Sequence, residues 1–67
     1  MSNQEILIYL NTLSNKIVTM YSISKSSSDN LVDRSPMRKL LQEDAEYVVH
    51  MPMQSWAKLI YESFYIV

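Results

Sequence analysis

The chain contains neither glycine nor cysteine, and these two absences exclude more than any residue present. Glycine supplies the positive φ angles of tight turns and lets the backbone approach a phosphate closely, so P-loops and Rossmann-type phosphate loops are ruled out. Hairpin-rich β architecture, which leans on Asn-Gly and similar turns, is disfavoured for the same reason. Without cysteine no disulfide can staple a small fold and no thiolate zinc site can form. An excess of basic charge is also missing. Six Lys and Arg against seven Asp and Glu leave a formal net charge of -1, which is not the electrostatic footprint of a nucleic-acid binder. The stretch 6–23 is interrupted by Asn11, Asn15 and Lys16, whereas a membrane span needs about 20 mostly apolar residues. The start of the chain lacks the basic region and apolar core of a secretory signal. A soluble, cytoplasmic protein with no membrane partner is the expectation.

What is present points to helices. Hydrophobic residues make up 48% of the 67 positions and charged residues 19%, so the chain is not of the disordered, highly charged kind. A chain this short buries roughly 60% of the surface its unfolded form exposes, so good helix packing or self-association has to compensate for its size. Ser2-Asn3-Gln4-Glu5 spells a capping box that starts a helix. From there Ile6, Leu10, Leu13, Ile17 and Met20 recur at four- and three-residue intervals, the alternation that keeps one seam facing a partner helix. Leu7 and Tyr21 widen this seam, which is expected to mediate self-association. Ile8, Tyr9 and Val18 fall outside it and make a second apolar strip, expected to pack on another helix.

The segment 24–35 is rich in Ser, Asp and Asn, residues that compete with helix by bonding to nearby backbone. It reads as a connector, with Leu31 and Val32 tucked back onto the bundle as one helical turn begun by Ser28 and Asp29. The triplet Ser26–Ser28 also has the look of a phosphorylation target, although serine runs are common in loops. Ser35 as N-cap and Pro36 at the first helical position restart a helix, with Met37, Leu40, Leu41, Ala45 and Val48 on its inner face. Its charges are reversed relative to the helix dipole, since Arg38 and Lys39 open it and Glu43, Asp44 and Glu46 come later. Pairing of Lys39 with Glu43 offsets part of that, and a partner or an antiparallel second copy would match basic with acidic. Tyr47, Val48 and Val49 are β-formers, so a short strand at 46–51 competes with helix there. Met51 before Pro52 marks a break. A last helix follows, with Met53, Trp56, Leu59, Ile60, Phe64 and Val67 on one side and Lys58, Tyr61 and Tyr65 toward the other. The apolar end Tyr65, Ile66 and Val67 is expected to dock rather than fray.

Chemistry is sparse. His50 and Glu46 lie one turn apart, but a metal site needs three or four ligands, so His50 reads as a helix-end cation. A nucleophile needs a base and a third group to hold that base, and one histidine gives little to build with. The carboxylates Glu43, Asp44 and Glu46 lie on what reads as a solvated face. No enzyme, metal or cofactor is expected.

The sequence therefore predicts an all-α fold, a small and dimeric helical bundle forming a single domain over 1–67. Its helices are expected at about 3–23, 36–49 and 53–66, broken near Pro52, with the serine-rich connector at 24–35. The expected role is a non-enzymatic protein-protein interaction module, a small regulator or inhibitor. Small, cysteine-free and glycine-free chains of this kind occur among accessory proteins of phages and mobile elements, a compositional parallel and not a family resemblance. Aromatics at the helical spacing of Trp56, Tyr61, Phe64 and Tyr65 usually form the core of a small bundle, but partner binding is assigned to Met53, Trp56, Tyr61, Tyr65, Arg38 and Lys39, because Trp and Tyr dominate binding hot spots and the five methionines give adaptable apolar surface. The alternative is a dimeric nucleic-acid-binding transcriptional regulator using Arg34, Arg38 and Lys39, with the Pro52 break as the turn of a helix-turn-helix.

Overall fold

The computed structural model describes residues 1–65, so the expectations placed on Ile66 and Val67 lie outside the described residues. Five helices are formed there: α1 Asn3–Tyr21, α2 Lys25–Arg34, α3 Met37–Glu43, α4 Ala45–His50 and α5 Met53–Phe64. The described residues include no strand, and the 46–51 segment is helical through His50. α1 is the central element, packed by α2, α3 and α5, while α2 also meets α5 and α4 follows on α3. No helix is long and apolar enough to cross a membrane among the described residues.

α1 starts as its capping box dictates. The Ser2 N–H donates to Glu5 Oε1 at 2.8 Å, and the Glu5 N–H donates to Ser2 Oγ at 3.2 Å. Ile6, Leu10, Leu13 and Ile17 are buried in the core of the single chain. They are enclosed by the chain's own helices, which corrects the expectation that they face a second copy. Of that seam only Met20 stays largely outside, and Leu7, expected to widen it, is exposed too. The helix stops two residues early because Ser22 turns left-handed at φ 55, ψ 39 and its N–H donates to the Val18 carbonyl. Glycine normally fills this position. Here serine does, at a cost on the order of 1 kcal/mol.

The serine-rich segment is not a connector but a helix of ten residues. Ser24 caps it by accepting from the Ser27 N–H at 3.1 Å. Ser28, Leu31, Val32 and Ser35 then fall at i, i+3, i+4 and i+7, and all four are buried. The poor helix propensity of serine is outweighed by tertiary burial of that face. At the crossing with α1, the Ser28 hydroxyl donates to the Ser14 carbonyl at 2.7 Å. The Ser14 hydroxyl donates to Asp29 Oδ1 at 2.6 Å, and its oxygen lies 3.0 Å from Ser28 Oγ. Lys25 closes the arrangement from outside, reaching Asn11 Oδ1 at 2.8 Å and Asp29 at 3.2 Å.

The segment expected to be one helix at 36–49 is two. Asp44, at φ -152 and ψ 70, donates its N–H to the Leu40 carbonyl at 2.7 Å and so ends α3. Its carboxylate accepts from the Tyr47 N–H at 3.3 Å and starts α4. The break relieves the dipole conflict for Glu46, which now sits in the first turn of α4 with His50 in its last, while Arg38 and Lys39 still open α3 and Glu43 still ends it. Pro36 precedes α3 as its N-cap rather than forming its first residue. Ser35 still serves the junction, donating its hydroxyl to the Val32 carbonyl at 2.6 Å and accepting from the Met37 N–H at 3.4 Å.

Pro52 separates α4 from α5 as expected, with Met51 extended. The inner face of α5 is Trp56, Ala57 and Ile60. Compared with the expected face it is rotated toward the small Ala57, which leaves Leu59 exposed and Tyr61 half-buried. Tyr61 stacks on Tyr21 with ring centroids 3.7 Å apart and on Tyr65 at 4.7 Å. The end of α5 is capped from α2, where Arg34 Nη2 donates to the Phe64 carbonyl at 2.8 Å, a cation where the dipole favours one.

Two outcomes follow from these junctions. Ser22→Gly relieves the left-handed strain and raises stability by about 0.5–1 kcal/mol; thermal unfolding followed by circular dichroism measures it, and a lower midpoint would show that the Ser22 side chain contributes more than its backbone costs. The Asp29 carboxyl is held below its ordinary value of 3.8 first by the Ser14 hydroxyl and then by Lys25. Its folded value being depressed, that contribution is complete above the ordinary value and fades as pH falls through the folded one. Ser14→Ala costs about 1–2 kcal/mol at neutral pH and flattens the acid limb of a stability-against-pH curve, leaving the part due to Glu5. An unchanged acid limb would show that the Ser14 bond is absent in solution.

Candidate interaction surface

The outward side of α1 changes character along its length. Its first turns expose Leu7 and Ile8, the latter at 59%, and Met1 just before the helix is exposed as well. Later outward positions are Asn11, Thr12, Asn15 and Thr19, all polar and exposed. α5 brings Met53 beside the apolar end, so that Met1, Glu5, Ile8, Tyr9, Thr12 and Met53 line a hollow of about 290 Å³ that is open to solvent and walled mainly by carbon. The second strip expected from the sequence is thus divided: Tyr9 and Val18 are half-buried, and Ile8 faces out.

The polar groups of this hollow are already engaged or inaccessible. Hydrogen bonds from Ser2, its backbone N–H first and its hydroxyl second, hold the Glu5 carboxyl below its ordinary 4.5. The Thr12 hydroxyl donates to the Ile8 carbonyl at 2.8 Å. The Tyr9 hydroxyl is buried with no hydrogen-bond partner among the described residues, and burial pushes its pKa above the ordinary 10.0. Shape and apolar contact are what the hollow offers, with no acid, base or nucleophile set for reaction. Among the described residues no three His, Cys, Asp or Glu side chains gather closely enough to hold a metal ion.

The residues assigned to partner binding are dispersed. Met53 is half-buried at the hollow. Trp56 is buried, 7% exposed, and its indole N–H donates to the Val48 carbonyl at 2.8 Å, which corrects its assignment as a contact residue. The carbonyl belongs to the last turn of α4, where no intrahelical donor is available. Tyr61 lies in the tyrosine stack, and Tyr65 covers its outer end at 41% exposure. Arg38 and Lys39 are exposed on α3. Arg34, placed with them in the nucleic-acid alternative, is instead committed to the end of α5. In the sequence Leu7 reads as part of the inner seam and Ile8 as packing on another helix, so the exposed face they form with Met1 has no clear signal there.

Comparison with known proteins returns no matching family model, no matching curated sequence and no matching solved structure.

Removing the orphaned hydroxyl tests how this hollow is built. Tyr9→Phe keeps the ring and leaves stability unchanged or raises it by up to about 1 kcal/mol, because an unpaired buried hydroxyl costs about that much. Urea unfolding measures the difference. A loss larger than about 1 kcal/mol would reveal a partner for that hydroxyl in solution.

Proposed function

We propose that this chain is a non-enzymatic protein-protein interaction module, a small regulator or inhibitor that works by occupying an apolar site on a cytoplasmic protein. The observation that carries the reading is the apolar end of α1, where Leu7 and Ile8 are each more than half exposed and Met1, Ile8 and Met53 share one hollow. Folding gains nothing from Ile8 in water, since a branched residue is no better than others on an exposed helix. Burying such a side chain against a partner is worth about 1.5–3 kcal/mol. The hollow accepts an apolar side chain from the partner while Ile8 inserts into the partner in return. The nucleic-acid alternative has less support, with Arg34 spent on α5 and a net charge of -1.

A photo-crosslinking residue at Ile8 captures a discrete partner in cells, whereas the same residue at Asn30, exposed and polar on α2, does not. Ile8→Asp weakens capture by about tenfold or more while changing stability by no more than about 0.5 kcal/mol, as surface substitutions do. Equal adducts at the two positions, or none at either, would remove this reading.

A further inference from the structure

The face formed by α3 and α4 carries its own pattern, separate from the apolar end of α1. Arg38 and Lys39 are exposed at the start of α3; Glu43 and Glu46 are exposed on either side of the Asp44 break. None of the four takes part in an ion pair among the described residues, where Lys25 with Asp29 is the single pair formed. Lys39 and Glu43 stay apart even though they are four residues apart on one helix. Asp44 is excluded from this set, its carboxylate being used to cap α4. Beyond the acidic end, Tyr47 and Val49 are exposed at 54% and 51%. Tyr47 is held edge-on against Trp56 with ring centroids 6.0 Å apart, so its position is set before any partner arrives.

We propose that a second copy of this chain docks on the α3–α4 face in reverse orientation, with Arg38 and Lys39 of each copy meeting Glu43 and Glu46 of the other. The charges of the two copies complement one another. Basic then acidic along one exposed path is self-complementary when reversed about a two-fold axis, and a two-fold contact uses the same patch on both copies. The axis passes near Gln42, which lies between the two clusters and is exposed. Opposed charges fix the register, and Val49, exposed and three residues on from Glu46 on the same helix, supplies apolar area that the charges alone lack. Exposed ion pairs contribute only a few-fold each in affinity and are screened by salt, so the association is weak and salt-sensitive. This self-association does not depend on the partner-binding role proposed for α1, and either can fail alone.

Sedimentation equilibrium of the full chain tests it. The expected result is a monomer–dimer equilibrium that weakens about tenfold between about 50 mM and 500 mM salt. The Arg38→Glu/Lys39→Glu variant weakens dimerisation by about tenfold or more, and adding Glu43→Lys/Glu46→Lys to the same chain restores it at unchanged net charge. A monomer at every concentration in low salt, a dimer indifferent to the reversal, or a swap that restores nothing would each overturn the proposal. Because the chain has no cysteine, Gln42→Cys gives a second reading that needs no charge change. It oxidises to a covalent dimer faster than Asn30→Cys, and equal rates would count as refutation.

Discussion

Two serine side chains at the crossing of α1 and α2 set the constraint on which the other contacts depend. Ser14 and Ser28 are 1% and 0% exposed, so a larger residue at either point would drive the helices apart. Hydroxyls in such a place are costly unless paired. Ser28 spends its proton on the Ser14 carbonyl, and Ser14 gives its own to Asp29, a shorter, charge-assisted bond. The pairing also fixes register. Sliding α2 by one residue would bring Ser27 or Asp29 into the closed space, the latter as a buried charge. Only the observed register lets Leu31 and Val32 join Ile6, Leu10, Leu13 and Ile17 in one core.

With helix packing specified at that crossing, the turns are made without glycine. Ser22 accepts a left-handed backbone, Ser35 and Asp44 each serve both the helix that ends and the one that begins, and Pro52 forces an extended approach to α5. α3 and α4 have seven and six residues, well below the roughly 12–15 at which an isolated helix becomes even marginal. They persist because Met37, Leu41 and Val48 are buried and because their ends are tied to other elements. Trp56 of α5 satisfies a carbonyl of α4, and Arg34 of α2 satisfies one of α5. Helix ends closed by side chains from elsewhere in the chain form or dissolve together.

Part of this fold is disclosed by local signals in the sequence and part is hidden. The capping box, the Ile6 to Ile17 spacing and the Pro52 break are local signals with one physical reading, and each of them appears in the structure. Serine has two readings. In 24–35 its composition reads as loop-favouring, whereas Ser28 acts as a small residue permitting close approach. The pattern Ser28, Leu31, Val32, Ser35 is helical once serine is counted as small rather than polar. Ala57 misled in the same way, since a face drawn through the large residues of α5 includes Leu59 and misses the alanine at its centre. Asp44 is only partly legible through the reversed charges, since a helix ending there gives Glu46 a first turn but leaves Arg38, Lys39 and Glu43 reversed on α3. For the surface, large aromatics at helical spacing read either as bundle core or as contact residues. Yet Trp56 has a hydrogen-bonding edge that could be met inside, and a buried carbonyl met it.

What remains outside divides into two faces of different physics. The start of α1 presents aliphatic side chains around a hollow whose polar groups are already satisfied or sealed off, so it can reward shape and apolar area but gives little preference for orientation. The α3–α4 face presents charges in a fixed order that form no ion pair among the described residues, so it discriminates orientation but contributes little area. Affinity in protein association comes mostly from desolvated apolar anchors, and register comes from charge. On α1 the outward positions beyond the first turns are mostly the neutral Asn11, Thr12, Asn15 and Thr19, so the ordered charges lie elsewhere, on α3 and α4. Separating them, with the apolar anchor where α1 begins and the charge order on the two shortest helices, keeps each outward face on residues the core does not need.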